Sequence, residues 1–416
     1  MSSIPAPRLF YGWIVVWATH LILFTLFGVT YAFSSFFASI QQEFHASRAG
    51  VSFTFSLAVF LYFAIGVPAG AIADRTHVRW VAGAGAMFLA LGMWLASRAG
   101  SLQQLYLAYA LAVGFGVGCA YVPSIAAVQP WFIKRRGLAA GIASAGIGLG
   151  TLIGPIVAVR LIDAYGWRDT LQVFAIAALV LGVAAASLME KSPAARGLHP
   201  DNDPLAGSGN LARSGMDLRA AVRTREFRLF FLSILATAAV QFMPFAHLAR
   251  HAVDRGLTPG QGALLIGLIG VGSFCGRFFL TGYADRIGLR NMLVAMYVGM
   301  GLACLWWLLT LSLPASFAAL SVFALFFGIC YGGFVGIAPP LTMEYFGGKN
   351  LSGLIGALYL AAGIGSLFAP VFAGWMYDIS GTYAVPIIVG AVANGIAALI
   401  ATRLPRKGTP QAVSAA

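Results

Sequence analysis

The sequence predicts an all-α membrane protein, with twelve transmembrane helices in two pseudo-symmetric six-helix halves. Three observations predict it. The 416 residues are 60% hydrophobic and only 9% charged, where a soluble domain carries about 25% charged residues. Twelve apolar segments reach the roughly 20 residues that cross a bilayer core. A polar stretch rich in Ser, Pro, Gly and charge, from Glu190 to Arg225, divides them six and six.

The segments follow in order, read from hydrophobicity and breakers. A short polar lead, Met1 to Phe10, runs straight into span 1 (11–38) without the pattern of a cleavable signal. Span 2 (50–73) stops at the charges Asp74 and Arg75, and span 3 (78–97) opens beside Arg79. Span 4 (103–129) ends before Lys134-Arg135-Arg136, which anchor the start of span 5 (136–160). Gly141, Ala145, Gly146, Gly148 and Gly150 give span 5 small faces suited to close packing or sliding. Span 6 (169–190) completes a first half, residues 1–190. Residues 191–225 are the central loop, and residues 226–416 the second half. There, span 7 (226–249) carries Pro244, an expected kink. Spans 8 (261–283), 9 (290–311), 10 (315–343), 11 (351–375) and 12 (382–403) complete the set.

The net charge of +13 does not call for nucleic acid. With both termini placed in the cytoplasm, nineteen of the 26 Lys and Arg fall on the cytoplasmic face, six on the outer face, and Arg277 in the core. This positive-inside bias orients the chain in a cytoplasmic (inner) membrane. The four cysteines all lie within spans, so no disulfide framework, metal site or cofactor is expected. No paired acid, base or nucleophile supports an enzyme. The loops are too short for the sensing domain of a receptor.

The halves repeat. Asp74-Arg75 with Arg79 matches Asp285-Arg286 with Arg290. Tyr121 matches Tyr331, and Asp163-x-x-Gly166 matches Asp378-x-x-Gly381, at offsets of 211, 210 and 215. Duplicated six-helix halves with a site at their midplane interface suit alternating access. A channel would need no such duplication.

Arg277 is the most informative residue. It lies about 12 Å along the helix from Asp285, its nearest ionisable neighbour in sequence. An Arg at the centre of a span costs at least about 2.5–3.5 kcal/mol. All thirteen acidic residues fall in loops or at helix ends, so an anionic substrate is the expected partner. One guanidinium clasps one carboxylate in bidentate fashion, whereas a second carboxylate would be left desolvated. A monocarboxylate is therefore favoured. Gly66 is the repeat-mate of Arg277, so the cation belongs to one half alone.

The loop Gly70-Ala-Ile-Ala-Asp74-Arg75 with Arg79 resembles the motif between spans 2 and 3 of the major facilitator superfamily, with Thr281 replacing the glycine in the second copy. Trp131-Phe-Ile-Lys134-Arg135-Arg136-Gly-Leu138-Ala-Ala-Gly141 resembles the span-5 signature of the monocarboxylate transporter family. Tyr11-Gly12-Trp13 resembles its span-1 signature without the preceding acid. The resemblance covers the whole chain. It implies that Arg277 binds the substrate carboxylate, as the Arg of span 8 does in that family. It implies a proton-coupled carrier of lactate or pyruvate type, working as a monomer. Three departures stand out. Ser273 replaces the Asp four residues before the Arg, Ser35 stands at the span-1 Lys, and Ala362 stands at the span-11 Lys of the oxalate exchangers. The proton route of the animal proteins is thus missing, as is a second cation for a dianion. The alternative reading is an organic-anion exchanger of the oxalate:formate type, whose span 5 shares much of the same pattern.

Tyr121 and Tyr331 are candidates to face the substrate, each with an apolar body and one hydroxyl. Tyr31, Phe33, Tyr359 and Ser273 are further substrate-lining candidates. His247 is the candidate proton site besides Arg277 itself, since histidine titrates near neutral pH; His20 is a second histidine within a span. Phe274 and Phe278 flank Arg277 and are expected to exclude water there. Gly70, Asp74, Arg75, Arg79, Asp285, Arg286 and Arg290 are the expected conformational loop residues.

Overall fold

The computed structural model of the protein describes residues 10–132, 136–203, 215–280, 287–347 and 351–406. Its helices are α1 (Tyr11–Glu43), α2 (Arg48–Arg75), α3 (Val78–Ser97) and α4 (Leu102–Trp131), then a long stretch, Arg136–Ser187. Gly166, at φ 81° and ψ 166°, divides that stretch into α5 before it and α6 after it. The second half has α7 (Arg225–Asp254), α8 (Pro259–Leu280), α9 (Leu289–Leu311), α10 (Phe317–Phe346), α11 (Leu351–Ser380) and α12 (Ala384–Ala401). Among the described residues, eleven helical stretches are long and apolar enough to cross a membrane. The turn at Gly166 makes them twelve spans.

Gly166 explains one of the sequence repeats. Its mate Gly381 also has positive φ, 69°, a conformation that a Cβ disfavours. The Asp-x-x-Gly pattern is therefore a turn signal at the α5–α6 and α11–α12 joints. The Arg79–Arg290 repeat has a structural meaning too. Arg79 Nη2 donates to Glu190 Oε2 at 2.5 Å, and Arg290 Nη2 donates to the carbonyl of Thr402. Each half thus ties the start of its third helix to the end of its sixth.

Two helices bend where the sequence is weak. The first turns at Ala32, between Tyr11–Tyr31 and Phe33–Glu43. The seventh breaks at Phe242, with Pro244 in the first turn of Met243–Asp254. Pro has no N–H to donate and tolerates a first turn, so the expected kink falls just before it.

The halves meet along three helix pairs: α2 with α11, α5 with α8, and the far end of α1 with that of α7. Glycines set the spacing in the first two. Along α11, Gly356, Gly363 and Gly374 receive Val67, Phe63 and Ala49 of α2. Across α5–α8, Gly148 and Gly270 face each other directly, and a Cβ on Gly270 would stand 2.8 Å from the Gly148 carbonyl oxygen. A second glycine face of α5, Gly146, Gly150 and Gly154, packs on the backbone of α1 at His20, Phe24 and Gly28. That face joins helices of one half. The small residues of α5 thus serve both a joint within a half and a seam between halves.

Candidate functional site

At the seam between the halves lies a small cavity. It is lined by Arg277, Tyr121, Tyr331, Tyr359, Tyr62 and Gln241, with Phe27, Phe63, Phe242 and Phe334 among the apolar walls. Among the described lining residues Arg277 carries the one full charge. Its guanidinium is within electrostatic reach of the phenols of Tyr31, Tyr121, Tyr331 and Tyr359. Arg277 sits in a π-helical turn, Gly276–Leu280, at the end of α8. One extra residue per turn re-aims side chains, and such turns recur at functional sites. Close packing of Gly276 on Ile329 and Gly333 of α10 leaves no room for a Cβ there and fixes the turn.

Most of the expected site residues meet here. Tyr121 and Tyr331, matched by the internal repeat, line the same cavity from α4 and α10, and Tyr359 joins them from α11. Tyr31 and Ser273 line an adjoining pocket with Tyr331, Phe245 and Thr151. Tyr31 stacks on Phe245 across the halves with ring centroids 4.3 Å apart, and Phe245 meets Tyr331 edge-on at 5.5 Å. These rings cover the cavity toward the end of the molecule opposite the start of α1 and the end of α12, the distal end.

Phe33 lies elsewhere. The bend at Ala32 turns it onto Phe37, Phe55 and Tyr109 inside the first half, fully buried, so it is not a lining residue. Phe274 and Phe278 are corrected as well. They stack on each other at the molecular surface, 40% and 53% exposed. Exclusion of water around Arg277 falls instead to the phenylalanines of the cavity wall. Among the loop residues, Asp285 and Arg286 lie outside the described residues, as do the side chains of Asp74 and Arg75. Gly70 packs near Val122 of α4.

Sequence reasoning missed Tyr62 and Gln241. Tyr62 stands one helical turn before Gly66, the repeat-mate of Arg277, and that spacing puts both on one face. Gln241 is a neutral polar residue in an apolar run just ahead of Pro244, a weak signal that a search for charges passes over.

His247 is not in the cavity but in a second cluster at the distal end. Arg48, at the start of α2, reaches across the halves to Asp254 (Nη2 to Oδ2, 2.6 Å), to the Tyr383 hydroxyl (2.9 Å) and to the face of the Tyr377 ring (3.7 Å from its centroid). The amides of Arg48 and Ala49 donate to the two carboxylate oxygens of Asp378, at 3.0 and 3.1 Å. A carboxylate at a helix N-terminus is favoured by the helix dipole as well. His247 Nε2 is 2.8 Å from the Pro370 carbonyl, and Nδ1 is 3.0 Å from the Tyr383 hydroxyl. A carbonyl only accepts, so Nε2 carries the proton, and Nδ1 accepts from Tyr383. Ser52 Oγ, which donates to the Arg48 carbonyl at 2.6 Å, lies 3.0 Å from Nε2. The chain Arg48 to Tyr383 to His247 to Pro370 is thus directed and complete with a neutral imidazole.

A two-halved bundle of twelve spans, with an occludable polar site between its halves, defines a membrane carrier. Comparison with known proteins agrees. The profile of the Major Facilitator Superfamily matches residues 19–314 and 254–415, and the chain belongs to that superfamily. The chain is 29% identical to monocarboxylate transporter 12-B of Danio rerio over 398 residues, covering 90% of this chain and 82% of the relative. It is 27% identical to the MFS transporter asaE of Aspergillus flavus, covering 94% and 86%, and 27% identical to monocarboxylate transporter 13 of Bos taurus, covering 91% and 86%. Among solved structures it is similar in fold to a D-xylose-proton symporter, with a TM-score of 0.76 at 14% identity, covering 96% of this chain and 99% of that one. It is also similar to an inward-facing bacterial homolog of the human lysosomal transporter Spinster, with a TM-score of 0.70 at 16% identity, covering 98% and 100%. The protein is a transporter, not an enzyme.

Proposed function

We propose that this transporter carries a small monocarboxylate of the lactate or pyruvate type together with a proton, by alternating access, as a monomer of a cytoplasmic membrane with both termini in the cytoplasm. The observation that carries the reading is Arg277, the one full charge among the described residues lining a small cavity walled mainly by phenols and apolar side chains. One guanidinium matches one carboxylate, and the apolar walls suit a short carbon chain. The names of the relatives point the same way.

The proton enters at His247. Protonation would place a second donor, Nδ1–H, against Tyr383, whose hydroxyl already accepts from Arg48. The directed chain would break and the distal closure would weaken. Arg48, Asp254, Asp378 and His251 are the other ionisable groups around it. The neutral form favours closure, so closure is lost as the pH falls. A low distal pH then opens the site to the anion; the anion on Arg277 offsets the cavity charge, so that the loaded, still protonated carrier closes distally and releases both on the cytoplasmic side.

The test is uptake of labelled L-lactate into proteoliposomes, with and without an inward proton gradient, for wild type and Arg277→Gln. Gradient-stimulated uptake in the wild type and its loss in the variant are expected. Silence of correctly inserted wild type, with oxalate–formate counterflow in its place, would overturn the reading in favour of an exchanger.

A further inference from the structure

We infer that Gln241 is a specificity residue of the cavity, reading a hydroxyl group on the substrate next to the carboxylate held by Arg277. The inference rests on the carboxylate reading above and adds a second point of recognition to it.

Gln241 ends the first segment of α7, directly before the break at Phe242. It is 2% exposed, yet it lines the cavity together with Arg277, and its Oε1 has no hydrogen-bond partner. A buried amide oxygen left unmatched is unfavourable, and an apolar residue of the same volume would serve packing better. The neighbouring polar side chains of α7 are satisfied: Thr237 Oγ1 donates to Asn394 Oδ1 at 2.7 Å, and Ser233 Oγ donates to the Phe230 carbonyl at 2.8 Å. Gln241 is therefore the buried polar group of the segment Arg225–Gln241 that is left for a ligand.

The chemistry of the amide selects the ligand group. Oε1 accepts, so it calls for a donor, and turning the amide end for end would put a donor in its place. A hydroxyl satisfies either orientation because it both donates and accepts. A keto oxygen satisfies one. An unsubstituted acid satisfies neither and leaves the amide unpaired. A site built to bond a hydroxyl rejects the analogue without it far more strongly than an apolar pocket does. The expected order is therefore a 2-hydroxy acid first, the 2-keto acid second and the unsubstituted acid last.

Transport of lactate and of propionate, which lacks only the hydroxyl, decides the matter in proteoliposomes holding the full-length protein. Two variants are used: Gln241→Met, which keeps the volume and removes the amide, and Gln241→Asn, which keeps the amide and shortens its reach. The wild type should prefer lactate by about 100-fold or more, and both variants should lose at least about 10-fold of that preference while still carrying propionate. Equal transport of both acids by the wild type, or an unchanged ratio in the variants, overturns the role of Gln241 and leaves the carboxylate reading standing. A wild type that carries neither acid overturns the carboxylate reading itself. Folded variants that carry neither acid overturn the specificity role, because propionate makes no use of the amide.

Discussion

The two seams between the halves are related by the internal repeat, yet they are built in opposite ways. The α2–α11 seam ends in directed polar contacts, with Asp378 on the first amides of α2 and Arg48 reaching Asp254 and Tyr383. The α5–α8 seam has Gly148 against Gly270 and Gly267 against Leu152. The residues at matching joints explain the difference. Where α2 begins with Arg48 and Ala49, both with free N–H groups, α8 begins with Pro259, which has none to give. Asp378 therefore caps a helix across the halves, whereas its mate Asp163 is exposed, and α8 is capped by its own Thr258 and Gln261. One seam is a latch of directed polar contacts. The other is a smooth contact along which helices can slide.

The largest effect is expected from removing the latch's cation. Arg48→Ala removes the cross-half donor to Asp254 and Tyr383, leaving Asp254 its own-helix pair with Arg250 and Tyr383 its bond to His247, and should weaken distal closure by about 2–3 kcal/mol, given that charged hydrogen bonds carry about that much and the pair is partly covered. Spin labels at positions 42 and 315, on the distal ends of the two halves, should report a population shift to longer distances. An unchanged distance distribution would show that Arg48 does not hold the closure. Filling the smooth seam comes next. Gly270→Val pushes into the Gly148 carbonyl and Thr151 and should cost about 1–3 kcal/mol by overpacking. Uptake should fall steeply while the protein remains folded, and normal transport would mean that α5 and α8 need no close approach. Asp378→Asn keeps one acceptor, sets an NH2 donor against the other amide N–H and loses the charge at the N-terminus of α2, so about 1–2 kcal/mol of closure is expected to go, read with the same label pair. The smallest effect at neutral pH belongs to His247→Gln. Its signature is the pH response instead: acid should widen the distal distance in the wild type, and the variant should flatten that response.

Much of this was legible in the sequence, for identifiable reasons. Span length and polarity give the twelve helices, because a bilayer forces each span to be long and apolar. The charge of Arg277 stands out for the same reason, and the matched tyrosines follow from the repeat. The latch was not legible. It joins residues 48, 247, 254, 378 and 383, which become neighbours only after both halves fold and meet. The side on which Phe278 emerges relative to Arg277 was hidden as well, since both lie in the π-helical turn at Gly276–Leu280. Phe33 was misread because a bend at a plain alanine leaves no mark in composition. Gln241 escaped because a neutral amide in a span leaves no charge to find, and its importance rests on the absence of a partner for Oε1.

The most direct test of the central claim is equilibrium binding of labelled lactate to the purified protein, compared with Arg277→Gln and Arg277→Lys. A bidentate guanidinium predicts a loss of about 100-fold or more in affinity for Gln, equal to about 2.8 kcal/mol, and a smaller but clear loss for Lys, which keeps the charge but not the fork. Affinity unchanged in both variants would mean that the carboxylate does not rest on Arg277, and the account of the site would fail.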